Sequence, residues 1–136
     1  MKDEIVKLDT ANLAREKGLD FELDLGGNCT CYNKDKELVC YHVHFQYPDR
    51  DEYVFAPTQS FLQKWLRDEH RLHIEVKPWK SKEDVPVWHA QVFTLTRFNV
   101  SFQSFEYVTM FAYGKEYEEA LEKGLVLALN LLKDKE

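Results

Sequence analysis

Apolar and polar positions recur along this chain with two periods, and each switch of period marks an element. Between Lys36 and Tyr47 the period is two. Val39, Tyr41, Val43 and Phe45 fall on one side, with Cys40, His42, His44 and Gln46 on the other. Side chains of a strand point alternately to its two faces, so one face is core and the other meets water or a partner. Cys29 to Tyr32 reads as the hairpin partner, across the polar turn Asn33-Lys34-Asp35. Pro48-Asp49-Arg50-Asp51 is a turn, with proline presetting φ, and Tyr53-Val54-Phe55 returns as a short strand. Leu72, Ile74 and Val76 alternate with His73, Glu75 and Lys77, and Pro78 is expected to end that strand before a charged loop. Val87 to Thr96 and Phe105 to Tyr113 are the remaining strands. Arg97 to Ser104 between them fits either an extended hairpin or an irregular loop.

Elsewhere the period is helical. Thr10 is expected to cap a short helix over Ala11 to Lys17, with Gly18 just past its end. Leu13 and Ala14 would face inward. Pro57 or Thr58 opens a second helix, in which Phe61, Leu62, Trp65, Leu66 and Glu69 form one stripe. Gln59, Gln63, Lys64, Arg67 and Asp68 are expected to cover its polar side. The third helix, Glu116 to Lys133, carries Tyr117, Ala120, Leu121, Gly124, Leu125, Ala128, Leu131 and Leu132 on one face. Gly124 costs about 1 kcal/mol inside a helix, and close approach to a sheet is the expected return. The order is α-β-β-β-α-β-β-β-α. Short turns imply a largely antiparallel sheet of about five to six strands with three helices, an α+β fold.

Length and composition fit one domain over 1–136. The chain has 136 residues, 44% hydrophobic and 31% charged, enough to bury a core without staples. Its net charge of −6 disfavours nucleic acid, whose phosphates call for Lys and Arg. The charged, apolar-poor start Met1-Lys2-Asp3-Glu4-Ile5 does not read as a secretory leader. No stretch has the length of a membrane span, so the cytoplasm is the expected address. Three cysteines argue against a disulfide framework.

The run from Ala56 to Arg67, then His70 and the strand His73-Ile74-Glu75-Val76, is distinctive. So are Leu13-Ala14-Arg15-Glu16-Lys17-Gly18 and the stretch from Tyr117 to Leu125. Together they resemble a family of short uncharacterised proteins from Bacteroidetes phages and prophage-like elements. The likeness covers the two later helices and the strand between them. It implies a mobile-element origin and supplies no activity. Where members carry Thr or Ser before Tyr-Glu-Glu-Ala-Leu, this chain has Glu116.

One side-chain constellation points to chemistry. Cys29, Cys31, Cys40, His42 and His44 supply thiolates and imidazoles, the ligands zinc takes in tetrahedral sites. Residues two apart share a face, so pairing of the two strands could gather Cys29, Cys31, Cys40 and His42 as a metal site. The C-x-x-C knuckle of common zinc modules is missing, and a flat strand face spreads ligands. A Cys–His nucleophile pair with Asp24 or Asp35 as orienting group is a further use of the same residues, though nothing selects either aspartate. No cofactor-binding or catalytic motif is present.

His70, Arg71, His73, Lys77, Lys80 and Lys82 make a locally basic stretch beside Trp79. Phe93, Phe98, Phe102, Phe105, Tyr107 and Phe111 crowd the second strand set, and alternation sends some of them outward, either as a contact surface or under a covering helix. The expected function is thus a non-enzymatic accessory protein acting through an unknown protein partner or as a homodimer. A zinc-binding domain and an acidic inhibitor of a host nucleic-acid enzyme are the alternatives.

Overall fold

The computed structural model describes residues 3–22, 27–42, 48–80, 83, 85–99, 104–107 and 111–134. It has the expected α+β architecture, and the element order matches except that four strands, not three, lie between the second and third helices. The helices are α1 (Leu8–Glu16), α2 (Gln59–His70) and α3 (Tyr117–Asn130). The strands are β1 (Asn28–Tyr32), β2 (Leu38–His42), β3 (Val54–Phe55), β4 (Leu72–Lys80), β5 (Pro86–Asn99), β6 (Ser104–Tyr107) and β7 (Ala112–Gly114). They form two antiparallel sheets, one in the order β2-β1-β3 and one in the order β4-β5-β6, with β7 also paired to β5. The strand expected over 105–113 is described as β6 and β7, on either side of 108–110. The described ends of the ambiguous stretch, 97–99 and 104, are strand and extend the hairpin, with Phe98 opposite Phe105 and Asn99 opposite Ser104; 100–103 lie outside the described residues.

α3 is the central element. It packs on β4, β5 and β7 and also touches α1 and α2. Gly124 makes the first of these contacts close: a Cβ there would lie 2.9 Å from Ile74 Cγ2 and 3.1 Å from Ala90 Cβ. Gly114 does the same from the sheet side, where a Cβ would stand 2.6 Å from the backbone nitrogen of Ala120. The core around these contacts holds Leu62, Leu66, Ile74, Val92, Leu125 and Leu129, each essentially without solvent access.

Several boundaries differ from expectation, each for a local reason. α1 starts at Leu8 with Lys7 as N-cap; the hydroxyl of Thr10 is instead bonded to the Glu122 carboxylate. Gly18 does end α1, at φ 106°. Thr58 caps α2, its Oγ1 accepting from the Phe61 N–H at 3.2 Å. Gln59 is buried instead of covering the polar side, because its amide reaches α3. Glu69, placed on the apolar stripe, is exposed. α3 ends at Asn130, so Leu131 lies beyond it and is exposed, while Leu129 takes the buried position.

β4 continues through Pro78 to Lys80. The Arg71 carbonyl accepts from Leu95 N–H, so odd-numbered residues of β4 bond β5 and even-numbered ones point their backbone groups outward. Pro78 is even-numbered and opposite Trp88, so its missing N–H costs the ladder nothing. The same outward edge is covered at Ile74, whose carbonyl accepts from Gln63 Nε2 at 2.8 Å.

Candidate functional site

The small sheet separates the candidate metal ligands. In the register of β1 and β2, Cys29 faces Tyr41 and Cys31 faces Val39, whereas Thr30 faces Cys40 and Asn28 faces His42. Directly opposed residues share a face. Cys29 and Cys31 therefore lie on one side of the sheet, and Cys40 and His42 on the other. The first pair is fully buried and the second exposed. The two buried sulfurs are 3.4 Å apart. Hydrogen bonding to Cys29 and burial push the Cys31 thiol well above its ordinary range, the reverse of what an activated thiol needs. His42 Nδ1 bonds the Asn28 side chain. Asp35 is exposed at the hairpin turn; His44 and Asp24 lie outside the described residues. Among the described residues no group of three or more Cys, His, Asp or Glu side chains converges as a metal site.

The larger sheet packs one face against the helices. Leu72, Ile74, Ala90, Val92 and Ala112 point toward the helices as part of the core. Alternation sends Lys77 and Trp79 of β4, His89 of β5 and Tyr113 of β7 to the opposite face. Lys77 lies opposite His89, and His89 opposite Tyr113. The His89 ring is the centre of an aromatic cluster. It stacks on Trp79 with centroids 5.1 Å apart and meets Phe111 at 4.5 Å and Tyr113 at 5.2 Å.

His89 is only 2% exposed, while Trp79, Phe111 and Tyr113 are 48%, 48% and 43% exposed. His89 Nδ1 is buried without a hydrogen-bond partner among the described residues. Burial lowers the His89 pKa, Lys77 lowers it further, and Glu75 opposes both. The Lys77 ammonium stands 5.9 Å from the Trp79 ring centroid, within cation–π range.

Of the aromatic residues expected to form a contact surface, Phe111 is on this patch and Phe93 is half-buried. The side chains of Phe98, Phe105 and Tyr107 and all of Phe102 lie outside the described set. Within the basic stretch, His70 is half-buried against Trp65, at 4.6 Å between ring centroids. Arg71, Lys77 and Lys80 are exposed, and the Nδ1 of half-buried His73 is buried without a partner among the described residues. Lys82 is outside the described residues. His89 was not separable from the sequence as a site, yet the alternation of Val87, His89, Gln91 and Phe93 carried the signal that it shares a face with the aromatics.

A second polar centre lies inside. Glu122 of α3 is 8% exposed. Its Oε2 accepts from the Lys7 backbone N–H at 3.1 Å and from the Thr10 hydroxyl, and its Oε1 accepts from Gln59 Nε2 at 3.0 Å. Gln59 also donates to the Glu118 carbonyl at 2.9 Å. The carboxylate sits at the N-termini of both α1 and α2, where helix dipoles favour negative charge. Glu122 is in the lining of two clefts, of about 370 Å³ and 540 Å³. The smaller is lined by Glu4, Glu116, Glu118 and Glu119 as well as Glu122. Because donors from α2, from α1 and from the residue before α1 engage both Glu122 oxygens, the network reads as a clamp joining three helices.

Among the described residues no helix is long and apolar enough to cross a membrane. No family model, curated protein or solved structure matches the chain.

Proposed function

We propose that this chain acts by protein contact, through the aromatic face of its larger sheet, as a non-enzymatic accessory protein. One observation carries the reading: Trp79, Phe111 and Tyr113 each keep almost half their surface in solvent while converging on one buried histidine. Exposed aromatic rings gathered in one place are what interfaces use as anchors, because a ring loses little conformational entropy for the area it buries. The partner is either another protein or a second copy of the chain. The origin in a phage or prophage-like element rests on the sequence resemblance alone.

The test is light scattering over a range of concentrations, together with retention of host proteins on the immobilised chain. Both are compared with Trp79→Ser/Tyr113→Ser. Self-association or retention that disappears in the double variant supports the reading. A strict monomer whose retained proteins are the same with and without the two rings defeats it.

A further inference from the structure

The charge around the aromatic face specifies its partner further, an inference that rests on the reading above. Lys77 stands beside His89 in the register, and Lys115 follows Gly114, the residue opposite Trp88. Both are exposed. Neither ammonium has a carboxylate within ion-pair distance among the described residues, whereas Lys17, Lys34 and Lys123 all do. Two cations without an ion-pair partner among the described residues therefore lie on or directly after the strands that carry the exposed rings, on a chain whose net charge is −6. The Lys77 ammonium rests near Trp79, so the patch offers an apolar platform and a positive rim within one side-chain length of each other.

We propose that this face takes a peptide segment of a partner protein that presents an aromatic or large aliphatic side chain next to one or two carboxylates. The apolar side chain would pack against Trp79 and Tyr113, and the carboxylates would pair with Lys77 and Lys115. Single-stranded nucleic acid also combines stacking with negative charge. It brings a phosphate with every nucleotide, however, and tight binding requires several cations to replace the released counterions. Among the described residues the ring-bearing end of this face offers Lys77 and Lys115, with Glu75 on the same side of β4 and a strongly negative chain behind them. A short acidic peptide needs only one or two ion pairs, and its apolar anchor supplies most of the affinity.

The full chain is panned against a random peptide library, and the enriched peptides are synthesised with a fluorophore for anisotropy titration. Enriched sequences should carry an aromatic or large aliphatic residue within a few positions of Asp or Glu. Trp79→Ser should abolish binding. Lys77→Glu/Lys115→Glu should weaken it about tenfold or more and remove most of its salt dependence. Far-ultraviolet circular dichroism of each variant controls for folding, and since Lys77 and Lys115 are exposed their reversal leaves the core intact.

Loss of binding in Trp79→Ser with no effect of charge reversal would overturn the acidic partner while leaving contact through this face standing. Indifference to Trp79→Ser would overturn both. Enrichment without acidic residues, tighter binding of labelled oligo-dT than of any peptide, or a dimer dissolved by Trp79→Ser would each replace the acidic peptide with another occupant and overturn the assignment.

Discussion

Adding one methyl group at Gly124 tests the packing on which the whole fold is built. Alanine has the higher helix propensity, so an unconstrained Gly124→Ala would stabilise α3 by about 1 kcal/mol. The new Cβ, however, would sit 2.9 Å from Ile74 Cγ2 and 3.1 Å from Ala90 Cβ. The first distance is shorter than side-chain carbons tolerate. Ile74 cannot swing away cheaply: it is 1% exposed, and a β-branched side chain is stiff about χ1. Ala90 has no rotamer to change. Relief must come from lifting α3 off the sheet, and overpacking of this kind costs about 1–3 kcal/mol. The two effects oppose each other, and the clash is the larger, so Gly124→Ala should lose about 1 kcal/mol net, with Gly124→Leu losing more.

Urea unfolding followed by circular dichroism measures this as a lower midpoint with an unchanged slope. The cause is isolated by a double-mutant cycle with Ile74→Ala, which deletes the obstructing Cγ2. On that background Gly124→Ala should cost nothing or stabilise, giving a coupling of about 1–2 kcal/mol. If Gly124→Ala stabilises the parent chain, or if the two substitutions simply add, the close approach of α3 to the sheet is not what the glycine serves.

Glu122→Gln should destabilise by about 1–3 kcal/mol, because an amide cannot accept on both sides where donors now meet each oxygen; an unchanged urea midpoint would contradict the clamp. Burial depresses the pKa of both His89 and His70, so the unfolded chain binds protons that the folded one refuses. Their contribution to stability is complete above the unfolded value near 6.5 and is lost as pH falls from there through the folded values. Urea midpoints between pH 7.5 and 5 should therefore decline, less steeply in His89→Phe, and an equal decline would exclude His89 as a source. Arg71 ends α2 in the left-handed region at φ 57°. Arg71→Gly should thus raise the melting midpoint, by an amount equivalent to about 0.5–1 kcal/mol; a lower midpoint would mean that the arginine side chain has a stabilising role.

Much of this fold was legible because burial imposes its period on the sequence. Leu72, Ile74 and Val76 announced one face of β4, and Leu62 and Leu66 one face of α2. Gly124 was readable as a contact glycine since nothing else recommends it inside a helix. What local pattern could not supply was tertiary origin. Thr10 has the chemistry of a cap but is claimed by a carboxylate 112 residues away. Gln59 looks like surface until α3 is placed over it. Pro78 reads as a stop only if the hydrogen-bonding side of β4 is unknown.

The candidate metal set failed to converge for a related reason. Within each strand the two-residue spacing was read correctly, but which face of β1 meets which face of β2 depends on register. Register opposes Cys29 to Tyr41 instead of to Cys40. His89 was missed because a single histidine amid alternating residues carries no mark of burial. Its surroundings come from Trp79, Phe111 and Tyr113, on both sides of β5 in space.

The outward rim of β4 has a bearing on how this protein behaves when crowded. A nine-residue strand with a bare margin is a template for another chain's backbone. Here Gln63 occupies one acceptor, and Pro78 removes one donor a few residues further on. Two copies meeting along that margin would find mismatched hydrogen-bonding groups, so concentrated solutions should resist growth into fibrils by this route. Substituting Gln63 and Pro78 together would leave the core intact and expose a continuous docking ladder.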